Sequence, residues 1–123
     1  MKKNLLMFFL YASLVACANS KNIGEYGGYS VLSIRHSYAN SHIIKLAPDA
    51  YIMFDAGGSD DAQTLEQDIV EAGIDPSKIR AIIVSHGHWD HVGGSKYFHD
   101  KYKIPLIFGE GDRRLLQQGK SDT

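Results

Sequence analysis

The sequence predicts a layered α/β fold, of the α+β kind at its start, and three observations point there. Segments rich in β-branched and aromatic residues come first, strand and helix patterns alternate from Tyr51 onward, and Ala81-Ile82-Ile83-Val84 is a continuous apolar run. Such a run fits a strand covered on both faces, as parallel strands between helices are. In order, Tyr29 to Arg35, Ser41 to Leu46 and Tyr51 to Phe54 read as antiparallel strands, with Ala47-Pro48-Asp49-Ala50 as the turn between the last two. Asp55-Ala56-Gly57-Gly58 breaks the pattern. Ser59, Asp60 and Asp61 then offer caps for a helix from Ala62 to Ala72, whose Leu65, Ile69 and Ala72 share a face and which Gly73 ends. Asp75-Pro76 opens a short helical turn. After the apolar strand, a helix is predicted over Gly94 to Tyr102, a strand over Ile104 to Phe108, and a helix from Asp112 to Gln118 closed by Gly119. Asn19 to Gly28, polar and glycine-containing, reads as a tether.

The composition is that of an ordinary globular domain, 44% hydrophobic and 22% charged, and 123 residues suffice for one core. A formal net charge of −1 supplies no broad basic field, so no nucleic-acid partner is expected. Lys2 and Lys3 followed by the apolar run Leu5 to Ala16 have the shape of an export signal over residues 1–16, too short to span a bilayer permanently. Leu14-Val15-Ala16-Cys17 resembles the bacterial lipobox. That resemblance implies cleavage before Cys17, lipidation of its thiol, a lipidated tether over residues 17–28, and an exported lipoprotein anchored to a membrane and facing the periplasm or the cell exterior. A conventional signal with a chance cysteine is the plainer alternative.

Three of the six histidines fall within six consecutive positions, His86-Gly87-His88-Trp89-Asp90-His91. Imidazole nitrogen and carboxylate oxygen are donor types that suit zinc and related divalent ions. In an extended segment His86, His88 and Asp90 would project to one side and His91 to another, so that one loop could feed two metal positions. The loop also leaves the end of an apolar strand, where open α/β sheets place ligands. Trp89 either lines a pocket or packs. His36, His42 and His99 stand alone in the sequence and read as surface or packed histidines, and Asp60 and Asp61 as caps.

With its flanks, Ser85-His86-Gly87-His88-Trp89-Asp90-His91-Val92-Gly93-Gly94 resembles the His-x-His-x-Asp-His signature of the metallo-β-lactamase superfamily. The resemblance implies that residues 29–123 form the N-terminal half of an αββα sandwich, truncated in this chain. It implies one or two zinc ions, or another divalent metal, with His86 and His88 on the first and Asp90 and His91 on the second. Asp90 would also act catalytically, orienting hydroxide generated at the metal, while Asp55, Gly93 and Gly94 would support the loop. The implied activity is metal-dependent hydrolysis of a small molecule: an ester, lactone, thioester, β-lactam, sulfate ester or phosphate ester. The family's second half supplies a further histidine, a bridging aspartate and a last histidine, and here no histidine follows His99. A catalytically incomplete fragment, acting as a metal-binding or interaction protein, is the alternative. The expected partner is the missing half of the domain, or a second copy. The diiron variant is disfavoured, because His88 stands where that variant has glutamate.

Overall fold

A computed structural model describes residues 21–114. The predicted signal peptide, Cys17 and most of the last predicted helix lie outside them. Six strands form one sheet in sequence order: β1 Lys21–Tyr26, β2 Tyr29–Arg35, β3 Asn40–Ala47, β4 Ala50–Phe54, β5 Ile79–Ile83 and β6 Leu106–Ile107. The first four run antiparallel, and β4, β5 and β6 run parallel. Helix α1, Ala62–Glu71, makes the crossover from β4 to β5. The short helix α2, Trp89–Val92, and helix α3, Ser95–Tyr102, make the crossover from β5 to β6. This is the predicted mixed α/β architecture.

Period-2 alternation decides which side of the sheet is covered. Leu32, Ile34, Ile43, Met53 and Ile82 bury one face in a single cluster with Leu65 and Ile69 of α1 and Phe98 of α3. Removing side chains of this size from water contributes about 2 kcal/mol each. Their neighbours Val31, Ile44, Ile52, Phe54 and Ile83 point the other way and are only half-buried. The strand predicted to be covered on both faces is therefore covered fully on one. Among the described residues no helix is long and apolar enough to cross a membrane.

Several local expectations change. The predicted tether contains β1, because Lys21 to Tyr26 pair residue for residue with Ile34 to Tyr29 across the Gly27-Gly28 turn, where φ is +57° and +84°. Helix α1 starts without a side-chain cap: Ser59–Asp61 wind into a 3-10 turn instead, and the Asp61 side chain does not bond the helix. Gly73 ends α1 as predicted, at φ +82°, with its N–H on the Val70 carbonyl and that of Ile74 on Ile69. Asp75 caps the predicted turn at Pro76 by accepting from the Ser77 N–H at 2.9 Å. The last strand shortens to Leu106–Ile107, although the Pro105 carbonyl still accepts from the Ile82 N–H at 3.0 Å. Proline has no N–H to donate to a ladder. Glu110–Asp112 form a 3-10 turn, and Arg113 and Arg114 directly after it are helical, where the final helix was predicted from Asp112.

Candidate metal centre

Parallel pairing of β4 with β5 brings two carboxyl ends side by side. Asp55 follows β4, Ser85 to His91 follow β5, and the Asp55 N–H bonds the Ile83 carbonyl at 2.9 Å. Asp55 has φ +54°, a left-handed conformation uncommon outside glycine. Two backbone bonds stitch the strand ends to the helices that follow: Ala56 N–H to the His91 carbonyl and Gly94 N–H to the Gly57 carbonyl, both 2.9 Å. Gly93 and Gly94 allow that approach. A Cβ on Gly94 would run into the Ala56 carbonyl oxygen, and one on Gly93 into Trp89 and Ser59 backbone atoms.

The buried Asp55 carboxylate is the hub. Oδ1 accepts from the Ser85 N–H at 2.7 Å, and Oδ2 accepts from the Ser85 hydroxyl at 2.7 Å and lies 2.7 Å from His91 Nδ1. A carboxylate only accepts, so His91 Nδ1 donates to it, which in a neutral ring puts the lone pair on Nε2, the atom facing Asp90 Oδ2 at 3.5 Å. The same reasoning reaches His86, whose Nδ1 stands 2.8 Å from Ser85 Oγ. Since that hydroxyl gives its one proton to Asp55, His86 Nδ1 donates to it, which in a neutral ring puts the lone pair on Nε2 as well. One carboxylate thus fixes the tautomer of two imidazoles, a common arrangement around metal-binding histidines.

The three motif histidines gather closely. The His86 ring centroid lies 4.6 Å from that of His88 and 4.2 Å from that of His91. Asp90 Oδ2 is 3.5 Å from His91 Nε2. The expectation that His91 projects away from its neighbours is therefore corrected. The segment is not extended through His91, because Trp89–Val92 turn into a helix, and the Asp55 bond swings the His91 ring toward His86. Among the described residues no group of three or more His, Cys, Asp or Glu side chains stands together in metal-holding geometry. In donor chemistry the set does fit a divalent ion, with two Nε2 lone pairs, a third imidazole and a carboxylate on one loop.

The other histidines lie elsewhere. His36 is buried with its ring against Gly57, and burial lowers its pKa below the usual value while Asp61 and Asp68 oppose that shift. His42 Nδ1 pairs with Ser33 Oγ at 2.8 Å, and His99 Nδ1 with the Ile104 carbonyl at 2.8 Å. Of the two readings the sequence left open for Trp89, the structure shows packing: the indole rests on Gly58 and stays 43% exposed. Two participants escaped sequence reading. Ser85 belongs to the motif segment but had no role, and its signal is its place between the apolar strand and His86. Tyr38 comes from the distant β2–β3 loop to meet Trp89 edge to face at 5.7 Å, and no local pattern announces it.

Fold and site define a mixed α/β protein with a histidine-rich loop at the carboxyl ends of its parallel strands. The chain belongs to the metallo-beta-lactamase superfamily, whose sequence profile matches residues 34–122. Members of that superfamily bind metal ions, usually zinc, and this chain has their hydrolase-like fold. It is 30% identical over 78 residues to the probable metallo-hydrolase YqgX of Bacillus subtilis (strain 168), covering 63% of this chain and 34% of that one. It is 27% identical over 86 residues to the probable metallo-hydrolase YflN of the same organism, covering 68% and 32%. A metallo-beta-lactamase with an HARLDQ motif from Cronobacter sakazakii has the same fold, with TM-score 0.68, 24% identity, and 72% of this chain covering 34% of that one. The chain spans about a third of the length of the curated relatives it matches.

Proposed function

We propose that this chain carries the metal-binding part of a zinc-dependent hydrolase, with His86 and His88 serving a first ion and Asp90 and His91 a second. The observation that supports the reading best is the Asp55 hub, which engages Nδ1 of His86 and His91 and so, in the neutral rings, puts their ligating lone pairs on Nε2, that of His91 beside Asp90. A bound divalent ion supplies Lewis-acid activation of water and of the scissile carbonyl, sulfuryl or phosphoryl group. The chain's own residues hold the geometry. Asp55 orients His91 directly and His86 through Ser85, and the close packing at Gly93 and Gly94 keeps α2 against the Asp55 strand end. Asp90 orients the attacking water and accepts its proton at a carboxylate oxygen before passing it to the leaving group. The substrate is a small molecule of the ester, lactone, thioester, β-lactam, sulfate ester or phosphate ester classes.

The wider setting is proposed from the sequence. Residues 1–16 direct export, and acyl chains on Cys17 anchor the protein to a bacterial membrane facing the periplasm or the exterior. The half-buried sheet face of Val31, Ile44, Ile52, Phe54 and Ile83 takes a covering surface, either the second half of the domain or another copy.

The experiment is to purify the full chain, measure zinc per chain, and assay it with His88→Ala against a panel of those substrate classes. Bound zinc with turnover lost in His88→Ala is expected. Absent metal, or turnover indifferent to His88, would refute the reading. A second reading is a metal-binding or interaction protein without turnover, which needs the same His86, His88, Asp90 and His91 donors but no activated water. Stoichiometric zinc without hydrolysis of any panel member would select it.

A further inference from the structure

We propose that the cavity between strands β1 to β3 and the carboxyl end of α1 binds an aliphatic monocarboxylate, its tail on the sheet and its head at Lys45. The site stands apart from the histidine loop. Tyr51, which lines it, lies at the start of β4, and Asp55 comes four residues on, about 13 Å along the chain.

The sheet register builds the cavity. Leu32 pairs with Ile23 on one side and Ile43 on the other, and these three side chains form an apolar floor facing α1. The next row on the same face is Ser30, Lys45 and Tyr51, with Lys45 directly opposite Tyr51. Where α1 ends, Ala72, Gly73 and Ile74 make the wall. Gly73 faces open space, since a Cβ there would meet no atom within 4 Å. The cavity holds about 210 Å³, below the roughly 300 to 1,000 Å³ of pockets for drug-sized ligands, so it suits a single short tail. Ile23, 68% exposed, is the apolar surface that such a tail would cover.

Charge complementarity names the head. Lys45 is exposed, and among the described residues its ammonium forms no ion pair, whereas those of Lys21, Lys96 and Lys101 each do. Ser30 on the adjoining strand brings a hydroxyl donor to the same row. A carboxylate accepts from both, while an ammonium head would meet Lys45 with like charge. A lysine near a helix carboxyl end also complements the helix dipole. That accounts for the charge, but not for the unfilled apolar floor beside it.

Calorimetric titration of the full chain with butanoate, hexanoate and octanoate tests the site, with acetate and octylammonium as controls. Affinity is expected to rise by up to about fourfold per added methylene until the floor is covered, with the two controls silent. Lys45→Gln should weaken octanoate about fivefold, the effect of losing an exposed ion pair. Ser30→Phe, which fills the cavity from its floor strand, should abolish binding, and His88→Ala should leave it unchanged. Octanoate binding lost in His88→Ala would put the acid at the histidine loop and overturn the proposal. Equal binding of octanoate and octylammonium, or a response indifferent to Lys45→Gln, would overturn the assigned head group. Absence of octanoate binding would overturn the site altogether, and sedimentation of the same sample would then show whether a second copy covers the groove. Zinc content and turnover are read separately, so failure of the metallohydrolase reading leaves this result standing.

Discussion

At Asp55 a single carboxylate takes bonds from the Ser85 amide, the Ser85 hydroxyl and His91 Nδ1. An asparagine there keeps the size but brings N–H donors where acceptors are needed, so at least one of the three bonds is lost. Residues that orient metal-binding histidines typically affect affinity by about 10- to 100-fold. Asp55→Asn is expected to weaken zinc binding in that range, with the circular dichroism spectrum retained; competition with a chromophoric chelator measures it. His36 sets a pH dependence. Burial holds its pKa below 6.5, so between that lowered value and 6.5 the unfolded chain binds more protons than the folded one. The associated stability is present above about pH 6.5 and is lost as pH falls through the folded value. Urea midpoints compared at pH 7.5 and pH 5.5 should drop less for His36→Leu than for the wild type.

Glu66 joins two elements. From α1 it accepts the Tyr97 hydroxyl at 2.6 Å, the Tyr102 hydroxyl, and the Lys101 ammonium at 2.8 Å, all three from α3. Burial opposes its ionisation, but the hydrogen bonds from Lys101, Tyr102 and Tyr97 together outweigh that and hold its carboxyl below the usual value. Burial and the same carboxylate push Tyr102 up to about 12. Since α1 follows the Asp55 segment and α3 follows the histidine loop, this clamp braces the two halves of the candidate site. Glu66→Ala leaves two part-buried hydroxyls without their acceptor while the Lys101 ammonium stays in water, and should cost about 2 kcal/mol in urea unfolding. No measurable loss would mean that apolar packing alone holds the helices together.

For the whole molecule, the sheet's asymmetry is the quantity to test. Met53 and Ile52 are neighbours in β4, yet Met53 is fully buried against α1 and α3 while Ile52 is half-buried on the opposite face. Met53→Ala should cost about 3 kcal/mol, as buried large-to-small changes do, and Ile52→Ala about 1 kcal/mol. Equal costs in urea unfolding would mean that the second face is covered in solution, and sedimentation across a concentration series would reveal whether another copy covers it.

Much of the architecture was legible because it is local. The strands from Tyr29 to Phe54, the helix ended by Gly73 and the apolar strand before the histidines each follow from residue period and turn chemistry within a few positions. The tether misread at Lys21 to Tyr26 shows the limit: Ile23 and Tyr26 stay exposed, so β1 exists through its ladder to β2, and pairing with a partner strand is not written in its own composition. The motif likewise determined which donors exist and in what order. Only the tertiary structure decided how they stand. Parallel pairing of β4 and β5 set Asp55 beside Ser85, and that contact turned His91 toward His86. It also brought Tyr38 to Trp89, because ring orientation depends on partners many residues away, while sequence spacing fixes only neighbours along the chain.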